Sequence, residues 1–244
     1  MQLFQRMFFA AVLAGLAAGL LMTAIQQWRV VPLIVAAEQF EGVPAHEHAP
    51  GAPAHHHVVS ADAAAPWAPQ DGAERIAYTV LADVLVCIGF ALVLGAAAVL
   101  SGLPLTARNG VIWGLAGFLT FQLAPAIGLP PELLGMAAAE VSARQLWWWG
   151  TALATAAAIF GIAKFRSWPA IGLGAVLILL PHVIGAPPAP EQPSAVPAHL
   201  ATAFAANALA AGAVFWLAVG PLLGWLGARF AAVPAAAATN GVHA

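Results

Sequence analysis

The chain has 244 residues, of which 62% are hydrophobic and only 7% are charged. Because a soluble domain carries roughly a quarter charged residues, this composition excludes an ordinary water-soluble fold and indicates a surface that faces lipid. The net charge of −2 gives no electrostatic basis for binding nucleic acid, and the single cysteine, Cys87, excludes an intramolecular disulfide and a cysteine-rich zinc site.

Apolar segments long enough to cross a bilayer recur along the chain. A spanning helix needs roughly 20 apolar residues, and six segments reach or approach that length, at about 7–25, 76–100, 111–129, 146–163, 168–184 and 200–226. The sequence therefore predicts an all-α, polytopic transmembrane helical bundle that forms one domain over 1–230. Five spans remain an alternative, because 146–163 and 168–184, the shorter of which contains Pro181, could be a less regular pair around 164–168.

The first segment has two interpretations. Arg6 precedes an apolar core, as in a secretory signal peptide. No convincing small-x-small cleavage site precedes Gln26 and Gln27, so an uncleaved membrane anchor is the favoured interpretation.

The basic residues predict the orientation, since short cytoplasmic loops carry an excess of Lys and Arg. An N-terminus inside the cell places five basic residues in the cytoplasm: Arg6, Arg108, Lys164, Arg166 and Arg229. It places three outside: Arg29, Arg75 and Arg144. We therefore predict a bacterial inner-membrane protein with both ends cytoplasmic.

Two segments lack the apolar content needed to order themselves. The first loop, at 38–72, is rich in His, Pro and Ala, and such compositions do not bury enough surface to fold. We predict that it is a flexible periplasmic loop and that 231–244 is a disordered tail.

Histidines dominate the candidate chemistry. His46 and His48 flank Glu47, and His55, His56 and His57 follow in the same loop. Neutral imidazole is the commonest protein ligand for Zn, Cu, Ni and Co, so the loop is predicted to capture a divalent metal ion. The alternative is a disordered loop with incidental histidines. Because imidazole binds metal only when neutral, capture should weaken as pH falls through the histidine range.

Two further histidines stand at predicted helix ends. His182 follows Pro181 at the outer end of the fifth span, and His199 stands at the outer start of the sixth. The predicted topology puts both on the membrane face that carries the histidine loop, which favours a shared ligand role. The alternative is that each is only a polar tip at the interface.

Asp83 is a carboxylate inside the second span, where a charge is costly and by default marks a pathway or a buried partner. Thr79, Asp83 and Cys87 are spaced four apart, so they share one helix face. Asp83 is therefore a third candidate metal ligand. The alternative is a structural hydrogen bond to a neighbouring helix, and Gln122 and Asn207 are candidates for the same kind of bond.

Other patterns favour structural roles. Gly15 and Gly19, and Gly110, Gly114 and Gly117, have spacings that let helices approach closely within the chain. Trp147, Trp148 and Trp149 are interpreted as aromatic anchors at the outer interface. The spacing of four predicts solvated helix pairs for Glu140 with Arg144 and for Asp71 with Arg75.

Catalytic motifs are absent from the sequence. It contains no GxxxxGK[ST], so the chain cannot be an ATPase by itself. It contains no HExxH or GxSxG either. We therefore predict that the chain is not an enzyme and holds no resident cofactor.

Several segments together resemble the CbtA family of probable cobalt transporter subunits. They are MFFAAVLAGLAAGL at 7–20, FLTFQLAPAIGLPPE at 118–132, RQLWWWGTALATA at 144–156 and LPHVIGAPPA at 180–189. QLAPAIGLPPE and PHVIGAP are the most specific, because each sets polar residues or prolines within apolar sequence. The resemblance implies cobalt uptake with a small His-rich membrane partner, CbtB, and it carries over His182 and Pro125, Pro130 and Pro131 as motif positions.

The predicted function is therefore import of a divalent metal, which the resemblance identifies as cobalt, by a subunit embedded in the lipid bilayer. The alternative is a non-transporting metal-sensing or scaffold subunit. The predicted metal ligands are His46, His48, His55, His56, His57, His182, His199 and Asp83.

Overall fold

The computed structural model describes residues 2–40, 69–191 and 194–239, and over these ranges the regular structure is entirely helical. The elements in chain order are α1 (Gln2–Arg29), α2 (Val31–Glu38), α3 (Ala73–Ser101), α4 (Gly110–Phe118), a π-helical turn (Leu119–Leu123), α5 (Ala124–Gly128), α6 (Val141–Phe165), α7 (Trp168–Ile184) and α8 (Ala198–Thr239).

The predicted membrane-spanning bundle is confirmed. Within the described residues, five helical stretches are long and apolar enough to cross a membrane: Phe4–Arg29, Ala73–Ser101, Gly110–Gly128, Val141–Phe165 and Ala198–Ala232. The shorter α7 is also apolar, and its 17 residues extend about 26 Å at the helical rise of 1.5 Å per residue.

Helices α1, α3 and α8 form the main core. One face of α1 presents small side chains that are fully buried, including Ala10, Ala14 and Ala18. They pack with Phe215 and Trp216 of α8, which are 2% and 1% exposed. The small residues of α1 let it lie close to its neighbours, since a Cβ at Gly15 would lie 2.5 Å from the Cα of Ile88 on α3.

Helix α4 packs equally closely against α8. A Cβ at Gly114 would lie 2.1 Å from the carbonyl oxygen of Trp216, and one at Gly117 would meet the ring of the same tryptophan. The predicted role of the glycine patterns in packing within the chain is therefore confirmed.

Contacts at the two ends of the bundle show that successive helices run in alternating directions. At one end, which we call the α2 end, Ala37 of α2 packs with Leu133, Val196 and Leu200. At the opposite end the ammonium group of Lys164 donates to the carbonyl oxygen of Ser101 at 3.0 Å. Each long helix therefore has one terminus at the α2 end and the other at the Lys164 end.

The structure differs from the predicted elements in two places. Residues 31–38 form the short helix α2, which was not among the predicted elements, and Pro32 lies in its first turn, the position at which its missing N–H is best tolerated. Helix α8 continues to Thr239, whereas the sequence predicts a disordered tail from 231; alanine, abundant there, is the strongest helix former. The predictions for the histidine loop at 41–68 and for 240–244 fall outside the described residues.

Candidate metal-binding residues and the cavity at the broken helix

The stretch Gly110–Gly128 is one span interrupted by the π-helical turn. Pro125, which is buried, is the second residue of α5, the helix that follows that turn. Because proline has no N–H, it cannot donate to the carbonyl four residues earlier, at Phe121. A π-helical turn inserts an extra residue into the helix and is frequent at functional sites. The helix backbone just before Pro125 is therefore irregular.

A cavity of about 740 Å³ lies beside this break. Its polar lining comes from four side chains: Gln122, Glu132, Arg144 and Gln145. Arg144 donates to Glu132 at 2.9 Å, and both side chains are largely withdrawn from solvent, with 31% and 20% exposure. The cavity therefore combines a tethered ion pair with amide groups inside an otherwise apolar bundle.

The partner of Arg144 corrects a prediction. The spacing of four predicted a pair with Glu140, but Arg144 reaches across to Glu132 in the loop after α5. Glu140 instead begins α6, where its carboxylate accepts from the backbone N–H groups of Ser142 at 2.9 Å and Ala143 at 2.8 Å. The hydroxyl of Ser142 and these two amides lower the pKa of the exposed Glu140 carboxyl.

The predicted pair of Asp71 and Arg75 is present, with a distance of 3.1 Å. Arg75 also forms an ion pair with Glu38. It therefore connects the start of α3 to the end of α2, on the side of the molecule to which the histidine loop is attached.

Gln122 and Asn207 do not make the predicted hydrogen bonds to a neighbouring helix within the described residues. Gln122 contacts α8, where a Cβ at Gly212 would lie 2.1 Å from its Oε1 atom. That atom is buried, with no hydrogen-bond partner among the described residues. The amide of Asn207 donates to Ala203 of its own helix at 2.7 Å.

The polar stripe on α3 faces α1. The hydroxyl of Thr23 donates to Asp83 at 3.0 Å, and the sulfur of Cys87 lies 3.7 Å from that of Met22. Thr79 bonds the Arg75 carbonyl in its own helix. The alternative interpretation of Asp83, a hydrogen bond to a neighbouring helix, therefore describes the contact that the structure contains.

His182 lies at the end of α7 against Trp147, with ring centroids 5.8 Å apart. Its Nε2 atom is buried and has no hydrogen-bond partner in the part of the chain that the structure describes. The indole N–H of Trp147 donates to the carbonyl of Pro181 at 3.2 Å, which fixes this end of α7 on α6.

The other candidate ligands do not gather around His182. His199 is exposed at the start of α8, whose main packing partners are α1 and α4, whereas α7 packs against α6. Over residues 2–40, 69–191 and 194–239, no three His, Cys, Asp or Glu side chains are grouped so that they could hold a metal ion. Within these residues the candidates are separate positions rather than one preformed site.

The three tryptophans interpreted as aromatic anchors have different surroundings. Trp147 packs against His182, and Trp148 packs against Phe121 with ring centroids 6.3 Å apart. Trp149 alone of the three is mostly exposed, at 54%. Consecutive helical residues point about 100° apart, so two of the three face the bundle and one faces outward.

The family model described as "Probable cobalt transporter subunit (CbtA)" matches residues 4–228. The chain belongs to the CbtA family. No curated protein and no solved structure matches the chain. Membership in CbtA, together with the apolar helices, makes the chain a multi-pass membrane protein of a transporter-subunit family.

The two most specific CbtA-like segments contribute residues to the cavity and to the contact at Trp147. QLAPAIGLPPE supplies Gln122, Pro125 and Glu132 to the cavity wall. PHVIGAP supplies Pro181 and His182, which contact Trp147. The ion pair of Glu132 with Arg144 was missed by sequence reasoning, although its two charges lie at the end of one family-like segment and the start of the next.

Proposed function

We propose that this chain is the membrane subunit of a cobalt uptake transporter and admits the divalent ion at the α2 end of the bundle. The supporting observation is the unpartnered, buried Nε2 atom of His182 in a chain of the CbtA family. A buried nitrogen without a partner costs free energy, and neutral imidazole is the commonest protein ligand for metals. A passing metal ion would satisfy it.

The proposed sequence of events begins in the first loop. His46, His48, His55, His56 and His57 capture the hydrated ion, and His182 receives it. His199, exposed at the same end of the bundle, assists the transfer. Asp83, held by Thr23, contributes negative charge below that end. A small His-rich, CbtB-like membrane subunit completes the transporter.

The proposed orientation places the N-terminus in the cytoplasm and the α2 end in the periplasm, across the bacterial inner membrane. A divalent cation then enters down the membrane potential, which contributes about 2.3 kcal/mol per charge per 100 mV. No nucleotide hydrolysis by this chain is needed.

The test is uptake of radioactive cobalt, with nickel and zinc as competitors, by cells that express the chain with and without the CbtB-like subunit. His182→Phe keeps an aromatic ring against Trp147 and removes the metal ligand, so we expect uptake to be lost while the protein still accumulates in the membrane. Val183→Ala, at an adjacent side chain that is 81% exposed, is the control and should behave as wild type.

Two outcomes would contradict the proposal. Normal uptake by the His182→Phe variant would remove His182 from the path. No cobalt accumulation in any combination, while the purified chain still binds cobalt, would exclude import and favour the non-transporting metal-sensing or scaffold role.

A further inference from the structure

Buried polar atoms without partners are concentrated in one part of the bundle. Among the side chains that the structure describes they are Gln122 Oε1, Thr151 Oγ1, Thr155 Oγ1 and His182 Nε2. They lie on the π-helical turn, α6 and α7. The core formed by α1, α3 and α8 contains none of them.

Helix position places the two threonines on the face of α6 that packs against α7. Trp147 bonds Pro181 at one end of the helix pair. At the other end a Cβ on Gly174 would lie 2.7 Å from the side chain of Ile162. Thr151 and Thr155 follow Trp147 by four and eight residues, so they share its face and lie between these two contacts.

Both threonines are withdrawn from solvent, with 0% and 2% exposure. A threonine in a helix commonly donates to the carbonyl four residues earlier, as Thr202 does to Ala198 at 2.8 Å and Thr79 does to Arg75 at 2.9 Å. Thr151 and Thr155 make no such bond. Their hydroxyl groups therefore remain available to another ligand.

Helix α7 contains a backbone carbonyl that lacks its usual donor within the helix. Pro181 lies inside α7, so the carbonyl of Leu177 lacks the N–H that would normally donate to it. Leu177, Pro181 and His182 are each half-buried, on the helix stripe that also contains the buried Gly174. We call this set, Thr151, Thr155, Leu177, Pro181 and His182, the α6–α7 seam.

We propose that the α6–α7 seam is a second cation site, which takes the divalent ion from His182 and holds it with the hydroxyl oxygens of Thr151 and Thr155 and the carbonyl oxygen of Leu177. This inference rests on the proposed function. Lipid chains cannot form hydrogen bonds with the polar atoms of the seam. A ligand of these atoms must therefore reach them from within the seam.

The ligand chemistry suits passage rather than storage. Conduction requires binding that is favourable enough for the ion to enter and weak enough for it to leave. Neutral oxygens bind a first-row divalent ion less strongly than imidazole does, so transfer from His182 to the seam would lead toward release. Helix α7 packs mainly against α6, and its large side chains on the opposite face, including Leu173 and Val176, are exposed. A movement that opens the seam therefore disturbs mainly the interface between α6 and α7.

The first test compares the double variant Thr151→Val, Thr155→Val with Thr202→Val, which removes a hydroxyl from an exposed position on α8. Valine keeps the shape of threonine. We expect the double variant to lose most radioactive cobalt uptake at unchanged membrane abundance, and Thr202→Val to retain it. The melting temperature in detergent should not fall, because removing unsatisfied hydroxyls removes no bond.

Cobalt uptake by the double variant equal to that of wild type would contradict the proposed cation site in the seam and would leave the proposed function intact. A lowered melting temperature would show that the hydroxyls hold the fold, and it would also overturn the seam. Failure of the wild-type chain to take up cobalt under any condition would instead contradict the proposed function.

The second test does not depend on transport. In a Cys87→Ala background, Thr155→Cys should react with a small water-soluble thiol reagent, and added Co²⁺ should slow the reaction. Ala157→Cys, at an exposed position on another face of the same helix, should stay unreactive because it faces lipid. A Thr155→Cys thiol that does not react at all would exclude a hydrated path through the seam.

Discussion

At the scale of single residues, several of the few charged side chains make specific local contacts. Glu140 caps α6 by accepting from Ser142 and Ala143. A carboxylate at a helix N-terminus satisfies free N–H groups and interacts favourably with the helix dipole. The charged form of Glu140 therefore contributes to the start of α6.

The lowered pKa of Glu140 gives this contribution a pH dependence. A group whose pKa is lower in the folded protein stabilises it above the usual pKa, and the contribution disappears as pH falls through the lowered value. We expect Glu140→Gln to lower the melting temperature in detergent at pH 7. The difference in melting temperature from wild type should shrink as the pH falls below 4.5, the usual pKa of glutamate. Glu191→Gln, in an exposed loop, is the control, and a difference that is constant with pH would contradict the prediction.

Two substitutions at Asp83 separate the effect of its charge from the effect of its hydrogen bond. Asparagine retains an oxygen that can accept from Thr23, whereas alanine does not. We expect Asp83→Ala to lower the free energy of unfolding by about 1 kcal/mol or more, and Asp83→Asn to lower it less. If Asp83 supplies charge to the path, Asp83→Asn should also reduce cobalt uptake. Full uptake with Asp83→Asn would leave the carboxylate a purely structural role.

At the scale of elements, glycines set the distance between helices. Gly114 lies against the backbone of Trp216 on α8, whereas nothing lies within 4 Å of a Cβ added at Gly150 on α6. Adding a methyl group to a packed interface forces a backbone shift, while adding one to an open helix position improves helix propensity. The same substitution should therefore have opposite effects at the two sites.

We expect Gly114→Ala to destabilise the protein by about 1–3 kcal/mol and Gly150→Ala to be neutral or stabilising by up to about 1 kcal/mol. Thermal unfolding of the purified variants in one detergent measures both. Equal tolerance at the two positions would contradict the close approach of α4 and α8.

The ion pair of Glu132 and Arg144 joins the loop after α5 to α6. A double-mutant cycle with Glu132→Gln and Arg144→Gln should give a coupling free energy on the order of 1 kcal/mol, since both groups are only partly exposed. The matched cycle with Glu140→Gln in place of Glu132→Gln should give a smaller value. The reverse order would support the pair that the helix spacing alone predicts.

At the scale of the whole molecule, the alternating helix directions require that both ends of the chain lie on the same side if α7 crosses the membrane with the other spans. Alkaline phosphatase fused within 129–140 or 185–191 should be active, and a fluorescent protein at the C-terminus should fluoresce. A dark C-terminal fusion would show that the chain crosses the membrane five times, with α7 lying in the membrane without crossing it.

The positions of the long helices could be predicted from the sequence because membrane spanning depends on local apolar length. The partners of individual polar groups could not. Arg144 has a carboxylate four residues before it and another twelve residues away, and only the fold of the loop after α5 brings Glu132 to it. Likewise, Asp83 meets Thr23 across 60 residues of sequence.

The sequence by itself determined the membrane environment, the all-helical architecture and the segments that carry the family's motifs, since these depend on composition and on patterns a few residues long. Only the tertiary structure decided which tryptophans face inward, that α2 follows α1, and that the unpartnered polar atoms are found on α6, α7 and the broken helix. The physical reason is that burial and hydrogen bonding are properties of neighbours in space, and helix packing chooses those neighbours.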